Sequence, residues 1–277
     1  MKCRVCDTVL LPWGVTANIP LLRCGVCGSL HADCPKPAED LYAELYEKDE
    51  IVPDVVASSL DAVVSSMEPY RSNGRWLDVA FGQGALLDAA ARRNWRCYGS
   101  ELSSVALRKG RARGFVTAAG TSDFENGSFD VVSMVEFVEH VEDPSSFLRE
   151  ARRVLRPGGC LYITTPNAWS ANRWLLGAAW SVFAPPDHVT IFTPGAMTRL
   201  LTSNGFGDIE IRAEGLNPSE LRRKPKGSAS TEAHRVNAAT ELCVAFSATP
   251  GRRRMKSLIN SALSLTRLGD TLKIRGH

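Results

Sequence analysis

Four cysteines near the amino terminus have the side-chain type and the spacing of a metal site. Cys3 and Cys6 form one C-x-x-C pair, and Cys24 and Cys27 form a second. Their separation lies within the C-x₂-C-x₁₅₋₂₀-C-x₂-C window that is typical of zinc. Because four thiolates complete the tetrahedral coordination of Zn²⁺, the pattern predicts a structural ion with no open position for catalysis.

Two alternatives stay open for this segment. His31 and Cys34 follow the second pair closely and offer substitute ligands, although both also fit an ordinary loop. A redox role is the other alternative, but the paired motifs lack a thioredoxin-like context, which favours zinc. The remaining cysteines lie in apolar surroundings and are predicted to be small core residues: Cys97, Cys160 and Cys243.

A glycine turn after a short apolar run is the second feature with chemical meaning. Residues 76–79 are predicted to form a buried strand, and Gly82 and Gly84 let the following backbone approach a ligand closely. Glu101 ends a second predicted strand, at about the 20-residue offset that suits a carboxylate bound to ribose hydroxyls. Leu87 replaces the third glycine of the dinucleotide fingerprint, which disfavours a dehydrogenase that binds a pyrophosphate.

These side chains need a sheet of parallel strands to position them. Two further strands are predicted over residues 129–136 and 160–165, with a helix between them. Asp143 is suited to cap that helix, and Gly158 is suited to end it. Its apolar face recurs at helical spacing: Phe147, Leu148, Ala151, Val154 and Leu155. The alternation of strands and helices predicts an α/β fold with a doubly wound, mostly parallel sheet.

Taken in order, these motifs resemble those of class I S-adenosylmethionine-dependent methyltransferases. The resemblance covers about residues 70–212. It is carried by Leu77 to Gly84, Gly99 to Glu101, Ser128-Phe-Asp130, Glu139-His-Val-Glu-Asp-Pro144 and Leu155-Arg-Pro-Gly-Gly159. It implies a seven-stranded Rossmann-like sheet and methyl transfer from S-adenosylmethionine, with S-adenosylhomocysteine as the product.

The same resemblance implies which residues bind the cofactor. Asp78 and the glycine turn would hold its methionine half, and Glu101 would hold its ribose. The family usually has a glycine at position 80 and an acidic residue near position 119, whereas this chain has Ala80 and Ala119. The predicted set is Asp78, Ala80, Gly82, Gly84, Glu101, Leu102, Ser122, Asp123, Ser133, Val135 and Glu136. Within it, Ser122 and Asp123 are the substitute contacts to adenine, and residues 133–136 would line the sulfonium region.

The acceptor is predicted to be a sugar, a glycan or a related natural product, methylated on oxygen. Residues 185–192 and 200–206 resemble a branch of the family with small-molecule and glycan acceptors, in which a cysteine-rich amino-terminal segment is familiar. An insertion at about residues 167–193 is predicted to be a lid over the acceptor. Packing of its three tryptophans against the sheet is the alternative: Trp169, Trp174 and Trp180.

Two histidines are the candidates for a catalytic base. A sugar hydroxyl is a poor nucleophile until its proton is removed, and histidine is the side chain best matched to accept that proton near neutral pH. His140 follows the predicted strand over residues 129–136, and His188 lies in the insertion. Both are therefore predicted to be catalytic, with a structural role as the alternative for each.

Positive charge is concentrated in residues 213–277, which hold 12 Lys and Arg against 5 Asp and Glu. Residues 1–212 hold 21 against 25. The basic segment fits an ordinary solvated surface first, and it is also suited to an anionic partner, such as a nucleotide-linked or lipid-linked acceptor, a membrane surface or RNA. Phe246 is the only aromatic residue there, so the stacking platform typical of single-stranded nucleic acid is missing. RNA methylation, C- or N-methylation of a small molecule, and a non-catalytic role in partner binding stay open as alternatives.

The predicted organisation has four parts. A zinc-ribbon-like module spans residues 1–38, a helical connector 39–70 and the methyltransferase core 71–212. The basic extension over residues 213–277 is predicted to end in the last strand of the sheet. Neither a secretory signal nor a membrane span is predicted, and the zinc-type cysteine pattern favours a reducing, cytoplasmic compartment.

Overall fold

The computed structural model describes residues 1–34, 52–217, 220 and 250–277. Part of the predicted connector lies outside these ranges, as do Cys243, Phe246 and the basic cluster at residues 222–226. Helix positions 250–256 are described by their backbone alone. No helix in the described ranges is long and apolar enough to cross a bilayer.

The strands form two sheets. In chain order they are β1 (Leu10–Thr16), β2 (Ile19–Cys24), β3 (Leu30–Ala32), β4 (Arg75–Val79), β5 (Arg96–Ser100), β6 (Val116–Ala118), β7 (Phe129–Val135), β8 (Leu155–Pro166), β9 (Thr190–Ile191), β10 (Glu210–Glu214) and β11 (Thr271–Gly276). The larger sheet has the order β10-β11-β8-β7-β4-β5-β6, and the smaller has the order β1-β2-β3-β9.

The larger sheet is mostly parallel. Strands β4 to β8 pair in parallel, and β11 runs antiparallel between β8 and β10. The prediction of a doubly wound, seven-stranded Rossmann-like sheet is confirmed. The α-helices of the described ranges are α1 (Asp54–Ser65), α2 (Ala85–Arg92), α3 (Ser104–Ala112), α4 (Pro144–Val154), α5 (Ala171–Leu176), α6 (Pro194–Ser203) and α7 (Pro250–Thr266).

Side chains alternate between the two faces of this sheet along each strand, so each face has its own hydrophobic core. Leu77 of β4 packs in a cluster with Leu148 of α4 and Leu200 of α6. Its neighbour Trp76 belongs to the opposite cluster, with Leu87 of α2. Because successive side chains of a strand point to opposite faces, the short apolar run at residues 76–79 serves both cores.

Helix α4 begins as predicted but ends earlier than predicted. The Asp143 side chain accepts a hydrogen bond from the N–H of Ser146 at 3.1 Å, and Pro144 occupies the first position. The helix ends at Val154, because the next residue is already extended and pairs with β7. The prediction that Gly158 ends the helix was wrong: this glycine, with φ of 72°, lies within β8.

Asp130, on β7, binds the backbone just before the amino-terminal end of β4. The side chain is fully buried and accepts hydrogen bonds from the N–H groups of Ser72 and Gly74 at 2.8 and 2.7 Å. The Arg156 guanidinium pairs with its other oxygen. A buried carboxylate is tolerated only when it is paired in this way, so this arrangement fixes where β4 starts.

Replacing Asp130 by alanine should therefore destabilise the protein by about 3–5 kcal/mol, because Arg156 loses its partner and two N–H groups lose their acceptor. Urea unfolding followed by circular dichroism would measure this change in the free energy of unfolding. Asp61→Ala is the control, since it breaks only an exposed pair with Arg93. Equal midpoints for the two variants would contradict the assignment.

The smaller sheet joins the amino-terminal module to the insertion that was predicted to be a lid. Residues 190–191 of the insertion form β9, which pairs antiparallel with β3. Trp180 is 1% exposed and packs in a cluster with Leu21 and Leu30 of the module. For this tryptophan the structure therefore shows packing, against the module. Trp169 and Trp174 are exposed, with their ring centroids 5.3 Å apart.

Candidate active site

The turn between β4 and α2 has the backbone shape that a closely approaching ligand requires. Ala80, Gly82 and Gly84 have φ values of 55°, 51° and 74°, in the left-handed region that favours glycine. A Cβ on Gly84 would lie 2.6 Å from the Arg113 guanidinium, which itself donates to the backbone oxygen of Gln83 at 2.7 Å. Arg113 therefore braces the turn, and Ala80 adopts a strained conformation that a glycine would adopt freely.

Glu101 joins this turn to the end of β5. Its Oε2 accepts a hydrogen bond from the N–H of Gly82 at 3.1 Å. Its Oε1 accepts from the N–H groups of Leu102 and Ser103 at 2.7 and 3.1 Å. The turn and the acid, which the sequence places about twenty residues apart, are thus in direct contact.

Asp78 lies at the end of β4 and is 4% exposed. The Ser133 hydroxyl donates to its Oδ1 at 2.6 Å and accepts in turn from the indole N–H of Trp76 at 2.9 Å. Burial raises the pKa of Asp78 to about 7. Neighbouring strands therefore hold a carboxyl group that titrates near neutral pH at the carboxyl edge of the sheet.

The other predicted adenine and ribose contacts lie at the same edge. Ser122 and Asp123 are exposed on the 3₁₀ helix Thr121–Asp123, which closely follows β6. Leu102 is 81% exposed directly beside Glu101. The structure brings these residues to the edge where β4 and β5 end, which is where ligands bind in open α/β sheets.

A second group of polar residues follows β7. Val135 is half-buried, and Glu136 is exposed with φ of 48°. Glu139 is fully buried, and the Thr165 hydroxyl donates to its Oε2 at 2.9 Å. Burial, reinforced by the charge of Glu136, raises the pKa of Glu139 to about 8. We did not single out Glu139 as a site residue from sequence, although a carboxylate between Val138 and the candidate His140 was a usable signal.

The two candidate histidines are in contact, and each ring is held by a backbone oxygen. Their ring centroids are 4.7 Å apart. The Nδ1 of His140 lies 3.0 Å from the backbone oxygen of Asp187, and the Nδ1 of His188 lies 2.7 Å from that of Val182. Carbonyl oxygens only accept, so we assign the proton of each neutral ring to Nδ1 and acceptor character to each Nε2.

The four predicted metal ligands also come together. Their sulfur atoms all lie within 4.8 Å of one another. The Cys3 and Cys27 sulfurs are 3.5 Å apart, and the Cys6 and Cys24 sulfurs are 3.4 Å apart. All four are free thiols, and each close pair takes one cysteine from each C-x-x-C motif. Zn²⁺ with bonds of about 2.3 Å needs sulfurs about 3.8 Å apart, so the donor set fits this ion.

The cysteine cluster is connected to the candidate histidines through Arg4. This residue lies between Cys3 and Cys6, and its guanidinium donates to the backbone oxygen of Val189 at 3.1 Å. His31, the alternative ligand, is buried and contacts Ser29, which in turn contacts the Cys27 sulfur at 2.9 Å. A side chain fixed by the cysteine motif therefore supports the backbone next to His188.

A groove of about 340 Å³ lies between the module and the insertion. Its lining includes Arg23, Trp169 and Arg267, together with the turn at residues 25–28. Arg173, nearby, stacks over the exposed Trp174 ring at 4.0 Å. Burial and the charge of Arg23 lower the pKa of Arg173 to about 10. The groove therefore combines positive charge with an exposed aromatic ring.

Comparison with known proteins identifies the family. A family model described as "Methyltransferase domain" matches residues 54–211, more than half of the 277 residues. The ubiquinone biosynthesis O-methyltransferases of Idiomarina loihiensis and Cupriavidus pinatubonensis are 28% and 30% identical over 159 residues. Each match covers 51% of this chain, and it covers 65% and 64% of the two relatives, so the chain spans just under two thirds of their length.

Solved structures show the same fold at low identity. A SAM-dependent methyltransferase from Archaeoglobus fulgidus superimposes with a TM-score of 0.53 at 17% identity, covering 87% of this chain and 99% of that one. Haemonchus contortus phosphoethanolamine N-methyltransferase 2, in complex with S-adenosyl-L-methionine, gives 0.51 at 18% identity, covering 85% and 55%. On the family match, the chain belongs to the methyltransferase-domain family, and it has the fold of these solved methyltransferases.

Proposed function

We propose that this enzyme transfers the methyl group of S-adenosylmethionine to a hydroxyl oxygen of a small-molecule acceptor. The observation that carries the proposal is the contact between His140 and His188, whose Nε2 atoms we assign as acceptors at the edge of the sheet where the cofactor binds. A hydroxyl must lose its proton to become a good nucleophile, whereas a neutral amine already has a nucleophilic lone pair. The site is therefore best matched to oxygen.

For the cofactor, we propose that Glu101 accepts hydrogen bonds from both ribose hydroxyls. The turn at residues 80–84 and Asp78 then contact the methionine half, and Leu102 covers the adenine ring. Ser122 and Asp123 supply the polar contacts to adenine. Residues 133–136 line the sulfonium. The exposed Leu102 side chain and the positive φ values of the turn support this arrangement.

Cofactor affinity should rise with pH through neutrality. Only ionised Asp78 pairs with the ammonium group of the methionine half, and its pKa is about 7, so protonation competes with binding below that pH. The dissociation constant should fall about tenfold between pH 6 and pH 8. Isothermal titration calorimetry of S-adenosylmethionine over this range would measure it.

Asp78→Asn should weaken binding and remove the pH dependence, because an amide does not titrate. Asp208→Asn, at an exposed position, is the control and should keep the slope of the wild type. The sign follows from the raised pKa: the folded, cofactor-free protein holds a proton on Asp78 that it loses as pH rises through 7. A pH-independent affinity in the wild type would contradict this role.

In the proposed reaction, the acceptor oxygen attacks the methyl carbon in line with the carbon–sulfur bond. The electron pair of that bond passes to sulfur, which leaves as neutral S-adenosylhomocysteine. The protein mainly aligns the acceptor and keeps water out. His140 or His188 takes the hydroxyl proton at Nε2, and the backbone contacts of the two rings hold them in the required orientation.

Within this class, we propose a sugar or glycan acceptor that carries an anionic group, such as a nucleotide-linked or lipid-linked sugar. The groove lined by Arg23, Trp169 and Arg267 supports this choice, since arginines bind phosphate and an aromatic face packs on a sugar ring. A ubiquinone precursor is the second candidate, favoured by the similarity to ubiquinone biosynthesis O-methyltransferases.

We propose that the cysteine cluster holds one structural Zn²⁺ ion, supported by the fit of its sulfur atoms to a tetrahedral site. Bound zinc would tie the two C-x-x-C motifs together and so fix Arg4. A thiolate site requires reduced cysteines, which supports a reducing, cytoplasmic compartment.

Assays with purified acceptors test the proposed function. Nucleotide sugars, undecaprenyl-linked sugars, dihydroxybenzoate derivatives and primary amines would each be incubated with labelled cofactor and the full-length chain. Label on oxygen of a sugar supports the first candidate, and label on a dihydroxybenzoate supports the second. Label only on nitrogen, or only on RNA added in parallel, would overturn O-methylation of a small molecule.

A further inference from the structure

One buried oxygen in the histidine cluster lacks a hydrogen-bond donor. The Glu139 side chain is 0% exposed, and its Oε2 accepts from the Thr165 hydroxyl. Its Oε1 is buried and accepts no hydrogen bond from any residue in the described part of the chain. A buried acceptor without a hydrogen bond lowers the free energy of unfolding by about 1–3 kcal/mol. A ligand of another kind at Oε1 would remove this penalty.

A histidine ring nitrogen lies close to that oxygen. The Nε2 atom of His140 lies 3.9 Å from Oε1 of Glu139. One ligand atom from each of Glu139, His140 and His188 can be chosen so that all three lie within 4.8 Å of one another. The separation of His140 from Oε1 is too long for a hydrogen bond, but atoms this far apart can share one cation after closing by less than about 1 Å.

The Nδ1 atom of each ring makes the contact that is typical of a metal-binding histidine. A ligating imidazole usually donates its other N–H to a carboxylate or a backbone carbonyl, which fixes the tautomer. His140 meets this condition through Asp187, and His188 meets it through Val182. The backbone N–H of Val189 also donates to the backbone oxygen of Glu139 at 2.9 Å, which ties the two ligand segments together.

We propose that Glu139, His140 and His188 bind one divalent transition-metal cation. Two imidazole nitrogens and one carboxylate oxygen suit Mn²⁺, Fe²⁺, Co²⁺ or Zn²⁺, and three protein ligands leave positions open on the ion. The site is distinct in chemistry from the cysteine cluster, whose four thiolates select Zn²⁺. Two of its ligands are also partly accessible, since the His140 side chain is 18% exposed and His188 is half-buried.

The open positions on the ion give it a role in the reaction. This role rests on the O-methylation proposed above. A hydroxyl oxygen of the acceptor that binds the ion loses its proton to solvent at a lower pH. The oxygen lone pair then forms the bond to the methyl carbon, and the electrons of the carbon–sulfur bond pass to sulfur. In the metal-loaded enzyme both histidines hold the ion through Nε2, so neither takes the proton, and the base role described above applies to the metal-free site.

Mn²⁺ is the probe that separates this site from the cysteines, because it binds thiolates weakly. The full-length protein, loaded with one equivalent of Zn²⁺ per chain for the cysteine cluster and freed of excess zinc, would be titrated with Mn²⁺ while electron paramagnetic resonance reports the free ion. We expect one Mn²⁺ per chain in the wild type. Glu139→Gln and His188→Gln should each weaken Mn²⁺ binding at least tenfold. Glu150→Gln and His277→Gln, matched changes outside the cluster, should bind as the wild type does.

Binding of S-adenosylmethionine serves as the folding control, since Glu101 and the glycine turn are not altered in these variants. Retained cofactor binding with lost Mn²⁺ binding supports the site. Substoichiometric Mn²⁺ in the wild type, or equal affinity in Glu139→Gln and Glu150→Gln, would overturn it. Because this readout needs no acceptor, a failure to find O-methylation leaves the metal result intact, and the two proposals fail separately.

Discussion

Replacing Glu101 by alanine should weaken S-adenosylmethionine binding at least 100-fold. The carboxylate is positioned by the N–H groups of Gly82, Leu102 and Ser103, and it is proposed to accept from both ribose hydroxyls. Two charge-assisted hydrogen bonds are worth about 1.5–3 kcal/mol each, which corresponds to a factor of more than 100 when both are lost. Isothermal titration calorimetry would measure the dissociation constant, and methyl transfer should fall in parallel at limiting cofactor.

Glu125→Ala is the matched control, because Glu125 is an exposed glutamate outside the proposed site and should leave affinity unchanged. Thermal unfolding of Glu101→Ala shows whether the turn at Gly82 still folds. A stable Glu101→Ala protein that binds the cofactor as the wild type does would contradict the ribose role, and with it the orientation proposed for the cofactor.

The double change Cys3→Ser and Cys6→Ser should release one zinc ion per chain. Two of the four thiolates are lost, and a structural zinc site contributes its binding free energy to folding. We expect the amino-terminal sheet to lose its stability, by several kcal/mol at least on the scale of such sites. Metal analysis of the purified protein gives the zinc content, and hydrogen exchange of β1 to β3 reports the local unfolding.

Cys34→Ser separates this site from its alternative ligand. Cys34 is half-buried outside the close cluster of sulfurs, so its removal should leave the zinc content at one per chain. The double variant should also raise hydrogen exchange at Val189, because Arg4 no longer holds its carbonyl oxygen. Unchanged zinc content after loss of Cys3 and Cys6 would contradict a four-cysteine site.

The parts of the fold that local patterns determine were predictable from sequence. The apolar run at residues 76–79, the glycines after it and Asp143 as a helix cap each act within a few residues of their own position. The carboxyl ends of parallel strands meet at one edge of a sheet, so the contact of Glu101 with the turn also follows from the order of elements.

The parts that depend on distant contacts were not predictable. Residues 190–191 join the amino-terminal sheet through pairing with β3, across more than 150 residues of chain, and a two-residue strand has no pattern of its own. This pairing also brings Trp180 of the insertion against the module, where its side chain is buried. Asp130 is similar: its partners, Ser72 and Arg156, come together only in the folded sheet.

Helix boundaries and the roles of site residues also depend on distant contacts, which the local sequence does not reveal. The preference of Gly158 for a positive φ was read correctly, but it operates within β8 rather than at the end of a helix, because pairing with β7 begins at Leu155. Glu139 gained its importance only from burial against Thr165 and contact with His140. The catalytic roles of the two histidines stay predictions until they are measured.

Methyl transfer to a small-molecule hydroxyl is tested most directly by following a labelled methyl group. S-adenosylmethionine with a labelled methyl carbon would be added with the enzyme to an extract of the source cells, which is then separated into RNA, lipid-linked glycans and soluble small molecules. We predict label in glycans or small molecules, bound to oxygen and absent with Glu101→Ala. Label in RNA alone, or no label from a protein that does not bind the cofactor, would contradict the claim.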